Sequence, residues 1–470
     1  MRTSLTRVFL AAVVAASLAA PPLAASAGPG VSVSPNVNVS RVLGNQAETS
    51  IAINPTNPDN IVVASNIQFG GQLFEAYSFD GGAHWKTQAV ANGDNLGLAC
   101  CDPSLAFDSY GNLFFVFLNR NANDVVLTLS TDGGKNFEYI GPVERTDSGK
   151  GHKLPHKGGW PVDQPTVTTG PGSVWVTYKD FAHNQLIRAT GAAVFGLGDI
   201  GKFSKPQGAP GSRPGYASFG DIVVGPTGQV MVTYQDNIVS EGPSNIWLNL
   251  DPDGLGPEGF GDALKATKTN VGGFDYIPPQ ATRSVDAETG LAWDRTGGAH
   301  HGRVYMVYTG EKPDESNDTN ILVRYSDDEG TTWSGPVRVN DDEGTNSQFN
   351  PHISLDQTTG YVAVSFYDAR NDLGTGGEGD TNGLPNDDAQ YWATVSRDGG
   401  ASFVANVRVS EGTSNAQVSL NGVQYGDYLG MAFHDGKIHP AWADNSNSTG
   451  DNPDGTLFKF DVYTATITVR

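Results

Sequence analysis

Only two of the 470 residues are cysteines, and they are neighbours, Cys100 and Cys101. That excludes a framework of several disulfides and the paired Cys spacings of a zinc ribbon. Positive charge is also scarce. The chain has 29 Lys and Arg against 51 Asp and Glu, a formal net charge of −22. So acidic a surface repels phosphate backbones and anionic lipid, so neither nucleic acid nor a membrane surface is expected as a partner. Apolar runs long enough to cross a bilayer are missing too. The longest covers residues 8–20, and no amphipathic helical period follows residue 27. The nine histidines show no HExxH spacing, and no P-loop, dinucleotide fingerprint or nucleophile elbow occurs.

The start of the chain reads as a secretory signal peptide. Arg2 and Arg7 precede the apolar run, and Ala25-Ser26-Ala27 is a small-residue cleavage site. The expectation is a secreted, extracellular protein whose mature part covers 28–470. Export favours oxidised cysteines. Adjacent Cα atoms lie about 3.8 Å apart, below the usual disulfide range of roughly 4.4–6.8 Å. A Cys100–Cys101 bond would be strained and would stiffen a tight turn. Two free thiols are the other reading.

What the chain has in plenty is glycine (59 residues), proline (27) and short runs of Val, Thr, Tyr, Phe and Trp. That suits many short strands joined by turns. One phrase occurs four times: SFDGGAHW at 78–85, STDGGKNF at 130–137, SDDEGTTW at 326–333 and SRDGGASF at 396–403. Self-similarity of this kind means an array of like units. Asp and Gly supply hairpin-turn chemistry, and the final aromatic begins the next strand. Asp80, Asp132, Asp328 and Asp398 are therefore expected to cap their own hairpins.

A second pattern runs through the whole chain: a strand, a turn, a very apolar strand, then a polar stop. Its turns fall at Asn60, Gly111, Gly172, Gly228, Gly302, Gly360 and Gly436. These are seven units of about 63 residues, enough for a four-stranded blade each. The last unit ends in FDVYTATITV (460–469), and VSVSPNVNVSRV (31–42) can supply its fourth strand and close the ring. The expected fold is all-β, a single seven-bladed β-propeller of four-stranded antiparallel blades. Six blades result if two irregular units merge. No linker-like stretch divides the repeats.

Blade geometry selects the candidate site. The start of each first strand and the end of each second strand share one face. Asp102, Asp163, Asp221 and Asp427, with Asn350, lie at first-strand starts. Asp180, Asp236, Asp368 and Asp444 lie at second-strand ends. Crowded carboxylates raise one another's pKa, which gives a site one protonated and one ionised acid at neutral pH. Each could instead cap a turn. Arg120, Arg283 and Arg370 lie near the same face and could clamp a carboxylate, or pair with the Asp ring. Trp160 could stack on a sugar, whereas Tyr428 is expected to pack between blades. The loop 368–388 carries Glu378, Asp380, Asp387 and Asp388, hard oxygen ligands of the kind calcium takes, though without EF-hand spacing.

The four phrases resemble the Asp-box, or bacterial neuraminidase repeat, of sialidase-like β-propellers. The resemblance covers most of the mature chain for fold and implies a glycosidase scaffold. Its enzymes use an arginine trio for the sialic acid carboxylate, a tyrosine nucleophile and an aspartic acid as acid/base. Carried over, Arg120, Arg283 and Arg370 would be the trio, Tyr425 the nucleophile, and Asp102 or Asp163 the acid. The Arg-Ile-Pro motif of that family has no match here. Two expectations follow. The first is a secreted sialidase-like glycoside hydrolase acting on terminal sugars, needing no cofactor. The second is a non-catalytic propeller that binds glycan or protein, with calcium as a stabilising ion. Either would be a monomer whose partner is a carbohydrate or glycoprotein.

Overall fold

The computed structural model describes residues 30–67, 71–145, 162–213, 217–218, 220–237, 239–419 and 422–470. The expected signal peptide, 1–27, lies outside them. Among the described residues, strands form seven antiparallel sheets with one repeated order, first strand to fourth, in the first six. The first strands are 50–53, 97–107, 162–170, 222–224, 290–293, 348–355 and 430–434. Each packs beside the next, and the seventh packs back on the first, so the ring is closed. The fold is a seven-bladed β-propeller.

The seal is made by both ends of the chain. Val37–Asn38 pairs antiparallel with Asp461–Thr464 and supplies the outer strand of blade 7. Val31–Val33 adds a second ribbon to Ile467–Val469. Asn38 Nδ2 donates to Asp461 Oδ2 at 2.6 Å across this seam.

The hydrophobic core is divided into seven clusters, one for each interface between neighbouring blades. That explains the apolar second strands. Ser173–Asp180 and Val362–Asp368 are buried along their whole length, because a blade packs on both its faces. The repeated phrase closes in one way at all four copies. The Ser hydroxyl donates to the Asp Oδ1 at 2.8 Å each time. The same Ser oxygen accepts the N–H of the Gly four residues on at 2.8–3.0 Å. The Asp also accepts the N–H four residues on, at 2.8–3.0 Å. These Asp residues are turn-builders on the face away from the candidate site. The turn at Gly111 has φ +87°, a conformation that favours glycine. Asn60 replaces glycine at the first turn. Its buried amide donates to the Ser78 and Gly133 carbonyls at 3.0 Å and ties blade 1 to blade 2.

Candidate active site

Five blades carry a non-glycine residue with positive φ within the first strand or two residues before it. They are Glu48 (56°), Asp102 (59°), Gln164 (44°), Glu288 (43°) and Asn350 (47°). Three of them precede proline, and in those three blades the ladder shifts register at this residue. The shift is a β-bulge, which re-aims a side chain. Left-handed backbone at a Glu or Gln costs free energy and is found where function requires it. Tyr428 stands at the matching place in blade 7, three residues before Met431, as Glu288 stands three before Leu291.

These side chains sit around one end of an axial cavity of about 620 Å³ lined by all seven first strands. Gln164, Glu288 and Tyr428 line the near end; Asp108, Arg295, Gln357 and His434 line the far end. Arg295 lies across that far end, donating to the Thr169 and Val224 carbonyls at 3.2 and 3.0 Å.

The near mouth holds six carboxyl groups and two cations. Lys179 Nζ lies 2.7 Å from Asp163 Oδ2. Arg283 grips Asp427 with two bonds, Nε to Oδ1 at 2.7 Å and Nη2 to Oδ2. Gln164 N–H donates to Asp102 Oδ2 at 3.0 Å and to Asp163 Oδ1 at 3.1 Å. Asp163 crowds Asp102, and Asp286 crowds Glu288, closely enough to raise the neighbour's carboxyl. Like charges crowded in this way disfavour ionisation. Asn66 joins blades 1 and 2, accepting the Asp102 N–H at 2.9 Å and donating to Glu48.

Burial, then the neighbouring Asp163 and Glu48 charges, pushes the Asp102 carboxyl well above its usual range. Burial and Asp427 raise Glu48 to about 7. Glu288 is raised by burial and by Asp286, Asp427 and Asp221. Asp286 is raised by burial and Asp427. Asp221, lower in the shaft, is raised by burial to about 6, although it accepts the Leu291 and Ile222 N–H groups at 2.7 Å. Asp427 raises the guanidinium pKa of Arg283. The mouth thus sets proton-holding acids beside ion-paired carboxylates. Three buried polar atoms of the cavity lining there have no hydrogen-bond partner among the described residues: Gln164 Oε1, an acceptor, and the Thr289 and Tyr428 hydroxyls. Native structures rarely leave such atoms without a use.

Of the expected residues, Asp102, Asp163, Asp427 and Arg283 meet at this mouth. The others do not. Tyr425 is fully buried; its hydroxyl bonds Ser414, and its ring packs against Phe349, Tyr367 and Phe460. A nucleophile cannot work from there, and Tyr428, expected to be a packing residue, is the tyrosine that reaches the shaft. Asp180 caps the turn of blade 3 and pairs with His183 and Arg188. Asp236 accepts from Asn245 and the Trp247 indole. Asp444 accepts the Ser446 N–H and the Trp442 indole. Asp368 holds Arg370, whose guanidinium also bonds Asp341 and Asn406 and covers the Trp392 ring at 4.2 Å. Arg120 is exposed, its N–H on the Leu98 carbonyl. The arginine trio implied by the resemblance is therefore not assembled. Trp160 lies outside the described residues.

In the acidic loop, Asp380 caps its own turn and Glu378 pairs with Arg408. Neither joins Asp387 and Asp388, which meet Asp372 instead. Cys100 and Cys101 form the vicinal disulfide, immediately before Asp102.

No protein-family model matches the chain, and no curated protein matches it. Among solved structures it is similar to a protein of unknown function from Dyadobacter fermentans DSM 18053. That likeness has 12% identity and a TM-score of 0.48, and covers 94% of this chain and 100% of that one. It is also similar to the GH93 alpha-L-arabinofuranosidase of Fusarium graminearum, at 14% identity and TM-score 0.46, over 80% and 98% of the two chains. The phage phi92 endosialidase gives 9% identity and TM-score 0.45, over 93% and 69%. At these values the chemistry is left to the residues themselves.

Proposed function

We propose that the acidic mouth is the catalytic centre of a secreted glycoside hydrolase that removes terminal, uncharged sugars from glycans. The observation that carries this reading is the pairing of proton-holding acids (Asp102, Glu288) with ion-paired carboxylates (Asp163, Asp427) around an axial cavity. Glycoside cleavage needs one acid to protonate the leaving oxygen and one carboxylate on the other side of the sugar. Glu288 lines the cavity and is the acid. Asp427, on blade 7 and paired with Arg283, is the carboxylate on the other side. The Gln164 amide oxygen and the Tyr428 hydroxyl are the acceptor and donor for sugar hydroxyls.

Charge supports the choice of substrate. The transition state is oxocarbenium-like and gains positive charge, which the Asp163 and Asp427 carboxylates favour. An anionic sugar finds both cations of the mouth already committed, Lys179 to Asp163 and Arg283 to Asp427, in place of the arginine trio a sialyl carboxylate wants. Secretion is supported by the reading of residues 1–27 and by the vicinal disulfide.

The test is fluorophore release from a panel of aryl glycosides that includes neutral furanosides, neutral pyranosides and a sialyl substrate. Release from a neutral member is expected, strongly reduced in Glu288→Gln where the leaving group is poor and largely kept where it is good. Inactivity of well-folded protein across the panel overturns the reading and leaves a glycan-binding propeller.

A further inference from the structure

The loop from the second to the third strand of blade 6 gathers Asp372, Asp387 and Asp388, all three buried. One carboxylate oxygen from each lies within 4.8 Å of the others. That is the span of a coordination sphere whose metal–oxygen bonds are about 2.4 Å, the calcium range. Most of the remaining oxygens are held by the loop itself. Asp372 Oδ2 accepts the Asp387 and Asp388 N–H groups at 2.8 and 2.9 Å. Asp388 is bonded through both oxygens to Thr381. Asp387 Oδ2 accepts from Asn382 at 2.9 Å.

Asp387 Oδ1 is different. The residue is only 8% exposed, and this oxygen has no hydrogen-bond partner. A buried carboxylate oxygen beside two further carboxylates needs a cation or a proton. The nearby guanidinium groups are committed elsewhere, Arg370 to Asp368 and Asp341, Arg408 to Glu378.

We propose that Asp372, Asp387 and Asp388 form a calcium site that holds the blade 6 loop. All the donors are hard oxygens, with no His or Cys among them, which selects against zinc. The same loop docks on the segment entering blade 7. Thr413 Oγ1 donates to the Glu378 carbonyl at 2.9 Å, and Asn415 Nδ2 reaches Thr381 Oγ1 at 3.3 Å. This site is independent of the catalytic reading and stands or falls without it.

The test uses the full chain after chelation with EDTA, titrated with calcium and, separately, with terbium. Terbium emission sensitised by Tyr391 and Trp392, on the strand that begins at Asp388, is expected, and calcium should displace it. The Tm should rise by roughly 3 °C at calcium about 100-fold above Kd. Asp387→Asn removes a charge from the crowded trio while keeping its shape, so it should fold and lose both responses. Glu378→Gln should keep both. A calcium shift and terbium emission that persist undiminished in Asp387→Asn and Asp388→Asn, or the absence of both responses in the parent chain, would overturn the proposal.

Discussion

Arg283 and Asp427 are joined by two parallel hydrogen bonds across the mouth of the propeller. The pair ties the segment entering blade 5 to the start of blade 7, 144 residues apart. A planar guanidinium fits a carboxylate in this way and an ammonium does not. Arg283→Lys should therefore lower kcat/KM by about tenfold or more with little change in KM, since it disturbs the aim of Asp427 rather than sugar contacts. Equal losses in kcat and in binding would contradict the positioning role.

Glu288→Gln keeps size and removes the transferable proton. A loss of about 10²–10⁴ in kcat is expected. The variant should be at least as thermostable as the parent, because it relieves a crowded carboxyl pair. Aryl glycosides with good leaving groups, which need little protonation, should recover most of the lost rate.

Stability should peak in mildly acidic solution. Glu48 is raised from 4.5 to about 7, and Asp461 from 3.8 to about 7. A carboxyl raised on folding contributes stability below its unfolded pKa and loses it as pH climbs through the folded one. That loss spans about pH 4 to 7 for these two. On the acid side, buried His352 and His439 are lowered from 6.5 to about 4. Their contribution is present above the unfolded value and disappears as pH falls toward 4. The turn Asp80, held near 2 by the His84 N–H and imidazole, fails only in stronger acid. Thermal melts should give the highest Tm at about pH 5–6. A maximum above pH 8 would contradict this balance.

Asp132→Ala should cost about 1–2 kcal/mol, because the carboxylate accepts from Ser130, Asn136 N–H and the Asn136 amide in one turn. Activity per folded molecule should not change, since this turn faces away from the mouth. Comparing denaturation midpoints with active-site titration separates the two effects.

Replacing Cys100 and Cys101 by serine should reduce activity more than stability. The bond closes almost no loop, so its entropic share of stability is small. It does set the backbone that leads straight into Asp102 at φ +59°. Reduction with a phosphine followed by assay should show the same split.

Most of the ring was legible because its signals are local. Ser-x-Asp-x-Gly closes a turn within eight residues, and an apolar strand after a glycine turn reports burial on both faces. Even the closure by residues 37–38 could be read, since blade 7 lacked a strand and the N-terminal segment had one to spare. The site was legible in part. Asp102, Asp163, Asp427 and Arg283 belonged to the expected set, whereas Glu48, Lys179, Asp286 and Glu288 were overlooked. Aligning the units along their first strands would have placed Glu48, Asp102, Gln164, Glu288 and Asn350 in one column. The tyrosines were exchanged: three residues separate Tyr425 from Tyr428, and only packing shows which faces the aromatic core and which the shaft.

Composition and repeat spacing decided the architecture and its acidity, because turn chemistry and strand alternation act over a few residues. Which carboxyls crowd one another was decided only when the ring closed. A bulge rotates a side chain by amounts no local pattern encodes, and partners such as Gln164 and Asp427 meet from 263 residues apart. Electrostatic coupling depends on those distances and on the water excluded between them, and both are properties of the assembled toroid.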